Sequence, residues 1–118
     1  MHIEEIMSSP VVVTRKGTLI KHTKELLNRK TINAIPVLDE EGTIEGIISS
    51  SDIAKSHDET LKVEDLMTSQ VHIVLKNNRV KDAAQIMAKH QVHHLVVMEE
   101  GKVIGMVSSL DLLKALAE

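Results

Sequence analysis

Gly46-Ile47-Ile48-Ser49-Ser50-Ser51-Asp52-Ile53 and Gly105-Met106-Val107-Ser108-Ser109-Leu110-Asp111-Leu112 are two copies of one pattern. Each runs from a glycine through two apolar residues to paired serines, then to an Asp and another apolar residue. The match extends outward from these stretches. Ile3–Glu40 align with Val63–Glu100 at an offset of 60, and Gly42–Lys55 align with Gly101–Lys114 at an offset of 59. Fourteen of those 52 pairs are identical, against roughly three or four expected from ordinary composition. Most others exchange like for like, as in Ile6/Leu66, Ser8/Thr68, Leu27/Met87, Ile35/Leu95 and Ile48/Val107. The chain is an internal duplication.

Composition sets the limits. The 118 residues suit one compact module, with Val, Ile and Leu numbering 13, 12 and 12. There is no Phe, Tyr or Trp, so the core must be aliphatic. The stacking platforms of single-strand nucleic-acid binders are also missing. The net charge of −3 carries no basic block, so nucleic acid is not an expected partner. Without Cys there are no disulfides, thiolate nucleophiles or Cys-ligated zinc. No apolar run reaches the ~18 residues of a membrane span and no signal-peptide pattern opens the chain. The expectation is a cytoplasmic protein with no membrane partner.

Each copy has the same order of elements. A short segment (Ile3–Met7; Val63–Met67) leads into a β-branched run, Val11–Thr14 or Val71–Val74. A helical stretch follows, Leu19–Lys30 or Val80–His90; in the latter, Val80, Ala83, Ala84 and Met87 form one apolar stripe. Two strands come next, Ala34–Leu38 and Ile44–Ile48, or Leu95–Met98 and Val103–Val107. They are joined by the Gly-containing turns Asp39–Gly42 and Glu99–Gly101. A last helix begins near Ser50 or Ser109. The fold class is mixed α/β, with two β-α-β-β-α repeats over residues 1–59 and 60–118. Neither half, at about 55 residues, has much margin alone, so the repeats are expected to pack as one compact module.

Met7-Ser8 and Met67-Thr68, Ala34-Ile35-Pro36-Val37, and the two glycine-to-aspartate stretches together resemble the CBS domain, twice over nearly the whole chain. The stretch Val92-His93-His94-Leu95-Val96-Val97 through Asp111 is similar to the last repeat of the regulatory gamma subunit of AMP-activated protein kinase. Val96 stands where Pro is common in that family, and Ser49 and Ser108 stand where Thr is frequent. The resemblance implies a tandem module with pseudo-twofold symmetry and two clefts between the repeats. Some family members bind AMP, ADP, ATP or S-adenosyl compounds there, and others have no established ligand.

Ser49-x-x-Asp52 and Ser108-x-x-Asp111 sit where a strand gives way to a helix. A helix start offers orphan N–H groups to a phosphate, and an Asp one turn on can accept ribose hydroxyls. The same spacing is an ordinary helix cap, and the two readings are not exclusive. The gamma-subunit resemblance implies one pocket made by Ser108, Asp111 and His93 with Thr14, Ile32, Asn33 and Ala34. It implies a second made by Ser49 and Asp52 with Val74, Val92 and His94. Ile32 and Val92 would clamp the adenine, and Thr14 favours the first pocket because Val74 has no hydroxyl.

His90, His93 and His94 would form a metal site only if all were helical, and the repeat alignment ends the helix near His90. His2, His22, His57 and His72 are scattered and read as solvated. No catalytic arrangement or Walker-type loop is visible. The expected function is therefore a non-enzymatic regulatory module for an adenine nucleotide or S-adenosylmethionine, with no cofactor and no metal. Output would pass through a homodimer or an unidentified effector protein. Leu26, Leu27, Leu112, Leu113 and Leu116 are the candidates for an exposed apolar face. The alternative is a structural or oligomerisation module with empty pockets.

Overall fold

The computed structural model describes residues 1–9 and 11–118. After a 3-10 turn at Ile3–Glu5, the elements in chain order are α1 (Ile20–Lys30), β1 (Ala34–Leu38), β2 (Ile44–Ser49) and α2 (Ser50–Ile53). The second copy follows with α3 (Val63–Leu66), β3 (Ile73–Leu75), α4 (Val80–His90), β4 (His94–Glu99), β5 (Lys102–Ser108) and α5 (Ser109–Ala117). Helices, hairpins and turns fall where the repeat places them.

The chain divides into two compact units, Val12–Val71 and Met1–Val11 with His72–Glu118. These are not the contiguous stretches 1–59 and 60–118. Each leading segment folds with the hairpin of the other repeat. Ser8 pairs with Met106, and Thr68 pairs with Ile47. Ile3 is buried among Leu95, Val97 and Val107 of its unit, and Val63 among Ile35, Val37 and Ile48 of the other.

In the unit Val12–Val71, β1 and β2 are an antiparallel hairpin from Ala34↔Ser49 to Leu38↔Ile44. Ile20 and Leu27 of α1 pack on it with Ile53 of α2. In the other unit, β3, β4 and β5 form one sheet, with Leu95, Val97 and Val107 facing Ala83 and Met87 of α4 and Leu112 of α5. Both hairpins shift register at the same place, between Val37 and Leu38 and between Val97 and Met98.

The two β-branched runs differ. Ile73–Leu75 is a strand parallel to β4, whereas in Val11–Thr14 only Thr14 is bridged, to Val37. Proline is the cause. Val96 donates its N–H to the His72 carbonyl at 3.0 Å; its counterpart Pro36 has no N–H to donate. Thr14 keeps the two bonds on either side, from its N–H to Pro36 and from Leu38 N–H to its carbonyl.

Two expectations on apolar faces are corrected. Ala84 is exposed, and Ile86 flanks the α4 stripe instead; turning the larger side chain inward buries more apolar area. Leu27 and Leu112 lie in the cores, and Leu26 packs against one. Leu113 and Leu116 of α5 are exposed as expected, at 62% and 75%, and Leu110 joins them at 53%; their i, i+3, i+6 spacing puts them along one side of the helix.

Gly46 and Gly105 mark close approaches of backbone. A Cβ on Gly46 would lie 2.7 Å from the Thr68 carbonyl oxygen, and one on Gly105 would lie 2.8 Å from that of Ser8. Each leading segment can lie on its hairpin only because a side chain is missing there.

Candidate functional site

Each unit ends its second strand in a serine that caps a helix. Ser49 Oγ accepts from Asp52 N at 3.2 Å while Asp52 Oδ2 accepts from Ser49 N at 3.0 Å. Ser108 and Asp111 make the same reciprocal pair at 3.1 and 2.8 Å. Ser-x-x-Asp is thus a capping box in both copies. Capping takes the Asp52 or Asp111 N–H, and the first N–H of each turn is bonded to a backbone carbonyl, so each helix start keeps only part of its anion-binding capacity.

The residues before the first strand are brought to the same ends. Ala34 is the register partner of Ser49, and His94 that of Ser108. Ser50 N–H donates to the Asn33 carbonyl at 2.9 Å, and Ser109 N–H donates to the His93 carbonyl at 2.9 Å. Ser109 Oγ lies 3.5 Å from His93 Nδ1. Asn33 and His93 are exposed beside the helix start. Ser50 and Ser109, read from the sequence only as helix starts, fasten strand to helix; their identity across the repeat was the available signal.

Ile32 and Val92 follow left-handed helix caps. Thr31 and Gln91 both have φ 55°, and the Ile32 and Val92 N–H groups reach back to the Leu27 and Met87 carbonyls at 3.1 Å. This is the six-to-one bond of a Schellman ending, with its apolar follower packed on the core. Thr31 is β-branched and strained there, directly before Ile32-Asn33-Ala34. Thr14 is 7% exposed beside β1, and its hydroxyl has no partner among the described residues. Val74 occupies the corresponding place in β3 and is buried.

The unit Val12–Val71 therefore holds Thr14, Ile32, Asn33, Ala34, Ser49 and Asp52. The other holds Val74, Val92, His93, His94, Ser108 and Asp111. His90 closes α4 while His94 opens β4, so the helical i, i+4 pair is not formed. Among the described residues no cluster of three metal-ligating side chains occurs. His72 is not solvated as expected: it is half-buried and stacks on His90, ring centroids 4.2 Å apart. Partial desolvation first, then the His72 and Lys89 charges, lower the His90 pKa below the ordinary imidazole value.

A paired strand-cap-helix end, repeated on a duplicated hairpin, defines a class of two-repeat modules. The family model for the CBS domain matches residues 3–59 and 63–118, and the chain belongs to that family. It is 32% identical to the uncharacterized protein MJ1426 of Methanocaldococcus jannaschii, covering 98% of this chain and 91% of that one. Several other curated relatives are longer, and the chain spans 20% to 42% of the length of three of them. The CBS domain pair of protein MJ0100, crystallised with 5′-methylthioadenosine and S-adenosyl-L-methionine, superposes with a TM-score of 0.92 at 28% identity, covering 99% of this chain and 96% of that one. CBSX2, crystallised with AMP, shares the fold with a TM-score of 0.84 at 24% identity, covering 98% and 96% of the two chains. No helix among the described residues is long and apolar enough to cross a membrane.

Proposed function

We propose that this chain is a non-enzymatic regulatory module that binds AMP, ADP, ATP or an S-adenosyl compound. The carrying observation is the α5 end. A capped helix start, the Asp111 carboxylate and the exposed His93 ring converge there within one unit. Phosphate suits the positive end of α5, at the first-turn N–H left unbonded, and His93. A ribose hydroxyl suits Asp111, a charge-assisted acceptor. The 28% identity to a pair crystallised with S-adenosyl-L-methionine supports the same ligand class. The protein acts in the cytosol, and binding shifts populations that an effector protein or a second copy reads.

Titration calorimetry with AMP, ATP, S-adenosylmethionine and 5′-methylthioadenosine tests the proposal. At least one should bind in the micromolar to millimolar range and raise the melting temperature. No heat and no thermal shift at millimolar ligand would favour the alternative, a structural module with empty pockets.

A further inference from the structure

Resting on that reading, we propose that the chain takes one adenine ligand rather than two, because the Asp52 carboxylate is already consumed by its own unit. The two aspartates are equivalent in sequence and share the capping bond, yet their second oxygens differ. Asp52 Oδ1 accepts from Lys55 Nζ at 3.2 Å and from Thr68 Oγ1 at 3.3 Å. Asp52 is 5% exposed, so little of its carboxylate faces water.

Asp111 is partly exposed, and its Oδ1 has no partner among the described residues. The counterparts of Lys55 and Thr68 are Lys114 and Ser8. Neither makes the corresponding bond to Asp111. Helix length separates the ends as well. α5 has nine residues, whereas α2 has four and offers only a single turn of aligned dipoles. A ribose hydroxyl arriving at Asp52 Oδ1 must compete with two donors on a buried group, while at Asp111 Oδ1 it meets a vacant acceptor. Lys55 and Thr68 are the residues that make the difference.

Asparagine separates the roles, since it replaces one acceptor oxygen with a donor. Asp111→Asn keeps an acceptor for Ser108 N–H and loses the one offered to ribose. Asp52→Asn turns an N–H donor toward Lys55 and Thr68. Native mass spectrometry and calorimetry with S-adenosylmethionine and AMP should give one ligand per chain. Asp111→Asn should lower affinity about tenfold or more with little change in melting temperature. Asp52→Asn should leave affinity within about threefold and lower melting by several degrees.

Two ligands per chain, or lost affinity in Asp52→Asn, would overturn the proposal. Absence of any binding to the wild-type chain would sink the functional reading instead. The consumption of Asp52 by Lys55 and Thr68 would then still be judged by melting: equal losses for the two Asn variants would refute it, and a loss confined to Asp52→Asn would support it.

Discussion

A carboxylate one turn into a helix can serve the helix or a guest, and Asp111 is placed to do both. Truncation to alanine removes the bond from Ser108 N–H along with any ligand contact. Asp111→Ala is therefore expected to cost about 0.5–2 kcal/mol of stability and about ten- to 150-fold in ligand affinity. Chemical denaturation and calorimetry read the two losses separately. A stability loss with unchanged affinity would make Asp111 a cap and nothing more. Thr31 gives a second prediction at this scale. With φ 55° it carries left-handed strain that glycine does not. Thr31→Gly should stabilise the protein by about 0.5–1 kcal/mol after allowing for the freer unfolded chain, visible as a raised urea midpoint. Gly105→Ala should do the reverse. Its Cβ meets the Ser8 carbonyl at 2.8 Å, and overpacking of this kind costs about 1–3 kcal/mol. Gly17, where an added Cβ would meet nothing within 4 Å, is the control.

At the scale of elements, the end of α4 carries a titratable contact. His90 is held below its ordinary pKa of 6.5 by partial desolvation, by His72 stacked on it and by Lys89. A lowered imidazole pKa means that the fold prefers the neutral ring. The contribution is complete above the unfolded value and is lost as pH falls through about 6.5 toward the folded value. Melting temperature followed from pH 8 to pH 5 should therefore decline more steeply for the wild type than for His90→Gln. Parallel curves would remove His90 from the account. The β4–β5 turn, with Glu100 at φ 50° and Gly101 at φ 78°, needs two left-handed residues. Its glycine was legible from sequence, and so was the hairpin. The pairing of the first β-branched run was less so. Its composition reads as a strand, but Pro36 in the neighbouring strand removes a donor, and only Thr14 is left bridged.

For the whole molecule, the leucine face of α5 points to self-association. Leu110, Leu113 and Leu116 lie on one side of a terminal helix and are more than half exposed, a pattern that marks interfaces. Light scattering at micromolar concentration should give about twice the 13.1 kDa chain mass, and Leu113→Glu with Leu116→Glu should shift it toward one chain. A single-chain mass for the wild type would refute the homodimer. The duplication, the order of elements, the capped helix starts and the aliphatic core are legible in the chain, because all of these follow from local periodicity and from residues near one another. The places of Ser49, Asp52, Ser108 and Asp111 at their helix starts are legible in the same way. Tertiary structure alone decided which leading segment packs on which hairpin. Ile3 and Val63 are equivalent in pattern, and an apolar side chain carries no label for its partner. It also decided that Asp52 is consumed while Asp111 keeps a vacant oxygen, since Thr68 lies 16 residues from Asp52 in sequence and meets it only through the fold.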